Sequence, residues 1–387
     1  MLLGELIDGL PIEIARGDAA TVRVCDLTED SRTAVPGSLF IARCGLTVDG
    51  RVYAHDAVLM GACAILTDAG ADLTTLPARV PVVVCADVPL MTALLAERLF
   101  GHPSRRLLLV GVTGTNGKTT VTHLIHQLLN RCGVRCGMIG TVEVDDGTEI
   151  APAVMTTPPA IETSRTLATM VESRCDAAVM EVSSHALDQK RADGLSFDAA
   201  VFTNVSGDHG DYHESFETYV AAKRRLIGLL DSGVGGPAVL NADDPLVGSC
   251  EAARPVRCGM HAGTGLDWAV ERRGSTLDGE RVSVRGEGIE ITARVALFGA
   301  HNAMNTLQAV AVTWDLLGRA GLAPELRRRM IADALTLVHP PRGRLEPMHG
   351  AGDDIAVFVD FAHTDDALSR SLEALREAKP SAARLWV

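Results

Sequence analysis

The stretch at residues 106–120, RLLLVGVTGTNGKTT, has the residue types that bind the phosphates of a nucleotide. Its pattern predicts a short apolar strand, a turn with Gly111, Gly114 and Gly117, and a helix that begins at Lys118. Glycines let backbone N–H groups approach an anion, and the helix N-terminus adds a partial positive charge. We therefore expect ATP to be bound here by Gly114, Thr115, Asn116, Gly117, Lys118, Thr119 and Thr120.

Two side chains of this loop have distinct expected roles. The ammonium group of Lys118 would contact the β- and γ-phosphates, and the hydroxyl of Thr119 would be a ligand of Mg²⁺. The usual spacing is altered, because Val112 stands where the first glycine is expected and Gly111 lies one residue earlier. An ordinary tight turn is the alternative, but the strand, the Gly-Lys-Thr sequence and the helix together favour nucleotide binding.

A second group of polar residues follows another apolar run, at residues 176–182. Glu181 lies at the end of this predicted strand, within the sequence Glu-Val-Ser-Ser-His. A buried carboxylate is costly unless it is paired or bound to a metal ion. In a mostly parallel sheet, ligands bind at the carboxyl ends of the strands, and we therefore expect Glu181 to bind Mg²⁺.

A third group, Asn-Val-Ser-Gly-Asp-His-Gly-Asp-Tyr-His at residues 204–213, contains two histidines and two aspartates. These residue types are typical of metal sites, and a zinc hydrolase or a polar capped loop are both possible readings. No second His or Cys group stands at ligand spacing, and the phosphate loop already requires Mg²⁺, which argues against zinc.

The composition limits the classes of protein to which the chain can belong. With 387 residues, 47% of them hydrophobic, the chain can form two or three domains. No apolar run is long enough to cross a membrane, and a net charge of −13 argues against general nucleic-acid binding. The nine cysteines lack a C-x-x-C pair, as expected for reduced thiols in the cytoplasm.

The predicted fold class is α/β in three regions. Residues 1–100 form a small α/β domain, and residues 101–337 form a central ATP-binding domain with a mostly parallel sheet. Within it, residues 266–298 alternate polar and apolar and predict antiparallel hairpins. Residues 338–387 predict the beginning of an incomplete Rossmann-like domain. We expect the sequence to stop inside a strand at 385–387, as a C-terminally truncated chain would.

The loop G-x-x-G-T-N-G-K-T-T resembles the ATP loop of the Mur ligase family, the ATP-dependent amide-forming enzymes of peptidoglycan assembly. Other motifs resemble those of the family's tripeptide synthetases and follow in the same order. They include Y-x-A-A-K at residues 219–223, G-x-H-N-x-x-N at 299–305 and a hinge motif at 340–346. The resemblance covers essentially the whole chain.

The resemblance implies further site residues. It makes His209 a second metal ligand and Lys223 a carbamylated lysine whose carboxylate bridges Mg²⁺ ions. It places Asn302 at the adenine and Arg344 at ATP. It makes residues 1–100 the domain that binds the UDP substrate. The residues that it implies for the UDP-sugar peptide are Ser31, Thr156, Thr157, Ser183, Gln189 and Arg191.

The activity implied by the resemblance is ATP-dependent addition of a third residue to UDP-N-acetylmuramoyl-L-alanyl-D-glutamate through an acyl phosphate. Diaminopimelate is the favoured amino acid, and L-lysine is second. The expected partners are small molecules, and the expected state is a cytoplasmic monomer with ATP and Mg²⁺ as cofactors. Two alternatives stay open: another ligase of the superfamily, of folylpolyglutamate or cyanophycin type, and an inactive chain that only binds UDP-muramoyl peptide and nucleotide.

Overall fold

The structure is a computed structural model in which the chain forms two compact units. The first unit contains residues 1–106, 158–168 and 186–195, and the second contains 107–157, 169–185 and 196–387. The residues that the structure describes are 1–45, 48–71, 74, 76–207, 212–230, 235–260, 263–350, 353–362 and 365–387.

The first unit is built on a five-stranded sheet of order β1-β5-β4-β3-β2, in which only β1 is antiparallel to its neighbour. Its strands are β1 (Glu13–Arg16), β2 (Asp26–Thr28), β3 (Ser38–Ala42), β4 (Ala64–Thr67) and β5 (Val82–Val84). Its helices are α1 (Leu3–Ile7), α2 (Ala54–Met60) and α3 (Val88–Leu99). All residues of β3 and β4 are buried, as expected for central strands covered on both faces.

Two segments that are distant in sequence complete the first unit. Ile161, from the segment 158–168, belongs to the same apolar core as Leu39 and Leu95. Gly194, from the segment 186–195, lies so close to the backbone of Ala93 that a Cβ atom there would come within 2.4 Å of its carbonyl oxygen. Both segments fall inside the region 101–337, which we predict from sequence to be one domain.

The second unit contains an eleven-stranded sheet of order β16-β15-β14-β13-β12-β11-β6-β10-β7-β8-β9. The strands are β6 (Leu108–Thr113), β7 (Cys136–Ile139), β8 (Glu143–Asp145), β9 (Ile150–Pro152), β10 (Ala177–Glu181), β11 (Ala199–Phe202), β12 (Ala238–Asn241), β13 (Pro255–Gly259), β14 (Trp268–Thr276), β15 (Gly279–Gly286) and β16 (Ile289–Val295). From β14 to β7 neighbouring strands are parallel, and both ends of the sheet are antiparallel. The predicted α/β fold is confirmed.

The remaining elements are mainly helices that follow these strands. They are α4 (Lys118–Arg131), α5 (Ala160–Glu172), α6 (Ser184–Asp188), α7 (Phe216–Gly228), α8 (Pro245–Gly248), α9 (Ala300–Arg319), α10 (Pro324–Leu335), β17 (Glu346–Pro347), β18 (Phe358–Val359) and α11 (Asp365–Ala378). Within the described residues, no helix combines the length and the apolar character needed to span a membrane.

The predicted hairpins at residues 266–298 are confirmed as β14, β15 and β16, which pair antiparallel. Along β16 buried and exposed residues alternate, and the buried residues of all three strands belong to one apolar core with the long helix α9. Trp268 and Trp314 meet there edge to face, with ring centroids 6.0 Å apart. Both rings are buried, whereas Trp386 is 82% exposed.

The C-terminal part has less strand than the sequence predicts. A strand is expected at residues 355–360, but β18 has two residues and pairs only with β17. The strand predicted at 385–387 is not formed. Two residues of pairing give few ladder hydrogen bonds, so Phe358 depends instead on packing against Phe298, 5.3 Å away between ring centroids.

Candidate functional site

The phosphate loop joins β6 to α4, as the sequence predicts, and two of its glycines are required by the backbone. Gly117 precedes α4 with φ +88°, and Gly114 has φ +145°, conformations that residues with a Cβ rarely adopt. Gly111 is a correction to the sequence analysis, because it lies inside β6 and not in the turn. A Cβ atom at Gly111 would come within 2.8 Å of the ring of Phe197, so this glycine serves packing.

The loop is held by the segment after β11. The N–H of Thr115 donates to the carbonyl of Asn204 at 2.7 Å, and the N–H of Asn116 donates to Asn204 Oδ1 at 3.0 Å. The hydroxyl of Thr203 donates to the carbonyl of Asn116 at 2.6 Å. These bonds fix the loop from the outside, and they make Asn204 a positioning residue that the sequence analysis did not single out.

Lys118 and Lys223 meet at one carbonyl oxygen. Lys118 Nζ donates to the carbonyls of Gly114 and Thr115, both at 3.0 Å, and Lys223 Nζ donates to the same Gly114 oxygen at 2.8 Å. Lys223 is only 2% exposed, and its Nζ lies 4.4 Å from the centre of the Tyr219 ring. Two predicted catalytic lysines from distant parts of the sequence therefore converge on the loop.

Tyr219 also binds the loop directly. Its hydroxyl lies 2.8 Å from Thr115 Oγ1, and Thr115 Oγ1 in turn accepts from the N–H of Ser206 at 3.0 Å. The ring of Tyr219 is buried and supports Lys223 from below. The motif Y-x-A-A-K thus positions two groups with one helix, since its tyrosine and lysine are four residues apart and lie on one face of α7.

Glu181, at the last position of β10, is fully buried. Its Oε2 accepts from the hydroxyls of Thr119 at 3.1 Å and Thr141 at 3.0 Å, and its Oε1 accepts from the N–H of Thr141 at 2.7 Å. Burial raises the pKa of this carboxyl group, while the positive charge of Lys118 and the hydrogen bonds from Thr141 and Thr119 oppose that effect.

The predicted substrate residues of this unit lie next to Glu181. The hydroxyl of Thr157 donates to the main-chain carbonyl of Glu181 at 2.9 Å and accepts from the N–H of Ser183 at 3.0 Å. Thr156 Oγ1 lies 3.1 Å from Thr141 Oγ1. Thr156, Thr157 and Ser183 therefore belong to the same hydrogen-bonded group as the buried carboxylate.

Aromatic and histidine rings line the next part of the site. His185 stacks on Tyr212 with centroids 4.0 Å apart, and His213 contacts Tyr212 at 4.9 Å and Tyr219 at 5.3 Å. His209, the predicted second metal ligand, lies outside the described residues.

The residues that are described suit Mg²⁺ in their chemistry. Glu181 and Thr119 offer a carboxylate and a hydroxyl, the hard oxygen ligands that Mg²⁺ prefers, beside a loop built to hold phosphates. Within the described ranges, no group of three or more His, Cys, Asp or Glu residues is arranged to hold a metal ion.

The two other predicted ATP residues differ in their surroundings. Asn302 is buried, donates to the carbonyl of Phe298 at 3.0 Å, and accepts from Asn305 Nδ2 at 3.0 Å. A Cβ atom at Gly117 would come within 2.7 Å of Asn305 Oδ1, so this asparagine pair borders the loop. Arg344 is half-buried, and its guanidinium group lies 5.5 Å from the ring of Phe361.

The other predicted substrate residues belong to the first unit. Ser31 begins a short 3₁₀ helix that is capped by Asp30, whose pKa is lowered to about 2 by its hydrogen bonds from Arg32. Arg191 donates twice to Gln189 Oε1, from Nη2 at 2.6 Å and from Nε at 3.1 Å. These two hydrogen bonds fix the orientation of the Arg191 guanidinium group.

A family model, a curated relative and a solved structure that are similar to this chain all belong to the Mur ligases. Residues 112–313 match the family model described as the Mur ligase middle domain. The UDP-N-acetylmuramoyl-L-alanyl-D-glutamate–2,6-diaminopimelate ligase of Chlorobaculum tepidum is 38% identical over 96% of this chain and 72% of its own length. A solved structure of a ligase with this name has a TM-score of 0.80 and 25% identity, over 98% of this chain and 75% of its own.

One further structure is similar in fold. The Mycobacterium tuberculosis folylpolyglutamate synthase in complex with ADP has a TM-score of 0.60 and 22% identity, over 74% of this chain and 70% of its own. At this identity the likeness concerns the fold alone. The similarity to the diaminopimelate ligases, which extends over 96% of this chain, is therefore the more informative comparison for function.

Proposed function

Because this chain belongs to the Mur ligase family, we infer that it is the ATP-dependent ligase that adds meso-2,6-diaminopimelate to UDP-N-acetylmuramoyl-L-alanyl-D-glutamate in peptidoglycan precursor synthesis. The observation that carries this function is 38% identity to such a ligase over 96% of the chain. The geometry supports it, since Lys118, Thr119 and Glu181 converge at the carboxyl ends of parallel strands.

The reaction has two steps, a displacement at phosphorus followed by a substitution at an acyl carbon. The γ-carboxylate of the D-glutamyl residue attacks the γ-phosphorus of ATP, which gives an acyl phosphate and releases ADP. The amine of diaminopimelate then attacks the acyl carbon, loses a proton and expels inorganic phosphate. Neither nucleophile needs strong activation, so the protein contributes mainly by positioning the groups and offsetting negative charge.

The described residues can perform that task. The N–H groups at the start of α4 and the ammonium of Lys118 would bind the phosphates of ATP. Mg²⁺, which we propose is held by Thr119 and Glu181 with His209 and carbamylated Lys223, would neutralise charge on the phosphates. Asn302 and Arg344 are our proposed contacts to the adenine and to ATP.

A carbamate on Lys223 is supported by the position of this side chain. Lys223 and Lys118 donate to the same carbonyl oxygen, so two ammonium groups would lie close together in a buried place. Addition of CO₂ to the neutral amine gives a carbamic acid that ionises to a carbamate. The carbamate keeps one N–H for the Gly114 carbonyl, and its negative charge converts the repulsion from Lys118 into attraction.

Six residues are our proposed contacts to the UDP-sugar peptide. Thr156, Thr157 and Ser183 border Glu181, while Ser31, Gln189 and Arg191 lie in the first unit and would bind the UDP-sugar peptide. The bidentate fork of Arg191 suits a carboxylate or a phosphate. We also infer that the chain is cytoplasmic and monomeric. Light scattering of the purified chain would test whether it is a monomer.

The first experiment measures ADP release by the purified chain with ATP, Mg²⁺ and UDP-N-acetylmuramoyl-L-alanyl-D-glutamate. It is run with meso-diaminopimelate, with L-lysine and with neither. We expect release that depends on diaminopimelate, together with a product heavier by one diaminopimelyl residue in mass spectrometry. Release that depends on L-lysine would correct the amino acid, and nucleotide and substrate binding without release would contradict ligase activity for this chain.

The carbamate has its own test. Lys223→Ala should abolish ADP release, and bicarbonate should not restore it, because the attachment point is lost. Mass spectrometry cannot preserve a carbamate well, so ¹³C NMR of protein equilibrated with ¹³C-bicarbonate is the direct measurement. Wild-type activity in Lys223→Ala would exclude the proposed role.

A further inference from the structure

Thr141 stands between two groups that we propose bind different ligands. Its Oγ1 lies 3.0 Å from Glu181 Oε2 and 3.1 Å from Thr156 Oγ1. Glu181 is our proposed cation ligand, and Thr156 is our proposed contact to the muramoyl peptide. Thr141 follows β7 by two residues and has an exposed side chain, so substrate can reach its surroundings.

The hydroxyl of Thr141 carries one proton, and this limits the hydrogen bonds among the three groups. When Thr141 donates to Glu181 Oε2, its one proton is not available to Thr156 Oγ1, the other acceptor of this hydroxyl. When Thr141 donates to Thr156, the hydroxyl of Thr156 is free to donate elsewhere. The backbone N–H of Thr141 holds Glu181 Oε1 at 2.7 Å in both arrangements.

We propose that Thr141 couples binding of a divalent cation at Glu181 to binding of the anionic UDP-muramoyl dipeptide at Thr156. This inference rests on the proposed function. A cation on the carboxylate takes over the charge that the Thr141 hydroxyl otherwise stabilises, and the hydroxyl turns to Thr156. Thr156 then donates its own proton to an acceptor oxygen of the substrate. Each ligand therefore tightens the binding of the other, as linkage requires.

The substitution Thr141→Val isolates this proton. Valine has nearly the shape of threonine, keeps the backbone N–H to Glu181 and removes only the hydroxyl. Thr141→Ser restores the hydroxyl. Thr148→Val is a matched control, because Thr148 also donates its hydroxyl to a carboxylate, that of Asp146, in an exposed turn between β8 and β9.

The experiment measures Mn²⁺ affinity by electron paramagnetic resonance, with a non-hydrolysable ATP analogue bound. Titrations are compared with and without UDP-N-acetylmuramoyl-L-alanyl-D-glutamate, after correction for Mn²⁺ bound by the free substrate. For the wild type we expect the substrate to tighten Mn²⁺ binding by at least about five-fold. Thr141→Ser and Thr148→Val should keep this ratio, and Thr141→Val should reduce it to within about two-fold of unity.

A ratio of unity in the wild type, or an undiminished ratio in Thr141→Val, would overturn the inference. The same would follow if Thr148→Val lost the ratio as Thr141→Val does, because a general effect on the fold would then explain both. The proposed function is judged separately by formation of the diaminopimelyl product. A wild-type chain that forms product with no coupling would refute the role of Thr141 and leave the ligase assignment intact.

Discussion

Two carboxylates of the second unit are buried almost completely but have opposite partners. Glu181 is fully buried at the end of β10, and Glu280 is 1% exposed near the start of β15. Glu280 forms an ion pair with Arg272, which also binds Glu377 on α11. Within the described part of the chain, Glu181 has only neutral donors in hydrogen-bond contact, from Thr119 and Thr141.

We propose that this difference distinguishes a structural carboxylate, Glu280, from one that binds a ligand, Glu181. Burial raises the pKa of both groups, so both are costly to keep charged. The guanidinium of Arg272 forms an ion pair with Glu280, whereas Glu181 is near the positive charge of Lys118 and is our proposed ligand of a divalent cation. Glu97 shows that hydroxyl partners alone are not diagnostic, since it is held by Ser104 and Ser164 in the first unit without a phosphate loop.

The largest expected effect tests whether the charge of Glu181 is needed for activity. Glu181→Gln keeps the size and two acceptor lone pairs but removes the negative charge. We expect ADP release to fall by at least about a hundred-fold, equivalent to about 3 kcal/mol of transition-state stabilisation. Unfolding by urea should show a protein at least as stable as the wild type at pH 8. Near-normal turnover would mean that Glu181 is structural, like Glu280.

The substitution Glu280→Ala tests whether Glu280 contributes to stability and not to activity. Removing Glu280 leaves Arg272, whose side chain is 25% exposed, paired with Glu377, and we expect a loss of about 2 kcal/mol in the free energy of unfolding. ADP release of the folded enzyme should remain within about two-fold of the wild type, because a stability change leaves the site geometry intact. A fall in turnover as large as that in Glu181→Gln would contradict a purely structural role for Glu280.

The dependence of stability on pH sharpens the comparison further. The pKa of Glu181 is raised above its ordinary value of 4.5, so the folded state holds a proton in a range where the unfolded state has lost it. The stability contribution of this group therefore falls as pH rises from 4.5 through the folded pKa, with a slope of at most about 1.4 kcal/mol per pH unit. Glu181→Gln should lack this slope. Parallel urea curves for both proteins at pH 5 and 8 measure the difference, and an equal pH response would contradict it.

The smallest expected effect concerns the neutral donors that fix the loop. Tyr219→Phe removes the hydroxyl that lies 2.8 Å from Thr115 Oγ1 but keeps the ring beneath Lys223. We expect a loss of about 1 kcal/mol, seen as roughly five-fold weaker ADP binding in calorimetry. Thr115→Val and the double variant complete a cycle. Additive losses would show that this hydrogen bond does not hold the loop.

The parts of the site that depend on local pattern could be predicted from sequence. The strand, loop and helix around Lys118, the buried strand that ends at Glu181 and the hairpins β14–β16 were all expected from periodicity and turn residues. The family resemblance is confirmed by the family model and by a relative that is 38% identical over 96% of this chain. Gly111 was placed wrongly in the turn, because a glycine needed for packing inside a strand looks the same in sequence as one needed for a turn.

The residues that were missed act across long sequence separations. Thr141 contacts Glu181 from 40 residues away, and Asn204 contacts Asn116 from 88. A signal existed, because each follows a parallel strand by two residues, where site residues concentrate. Arg272 and Glu377 form a pair although they are 105 residues apart. The sequence does not indicate this pair, because a strand with alternating polar residues carries several charged side chains that could have such a partner.

The edge-to-face pair of Trp268 and Trp314 has a practical consequence for following the molecule in solution. All three tryptophans of the chain lie in the second unit, and only Trp386 is exposed. Blue-shifted emission will therefore come from the pair between β14 and α9, while the first unit contributes no tryptophan signal at all. An unfolding curve recorded by tryptophan fluorescence will therefore not report on the first unit, which contains Ser31. Circular dichroism should be recorded as well, so that the unfolding of both units is observed.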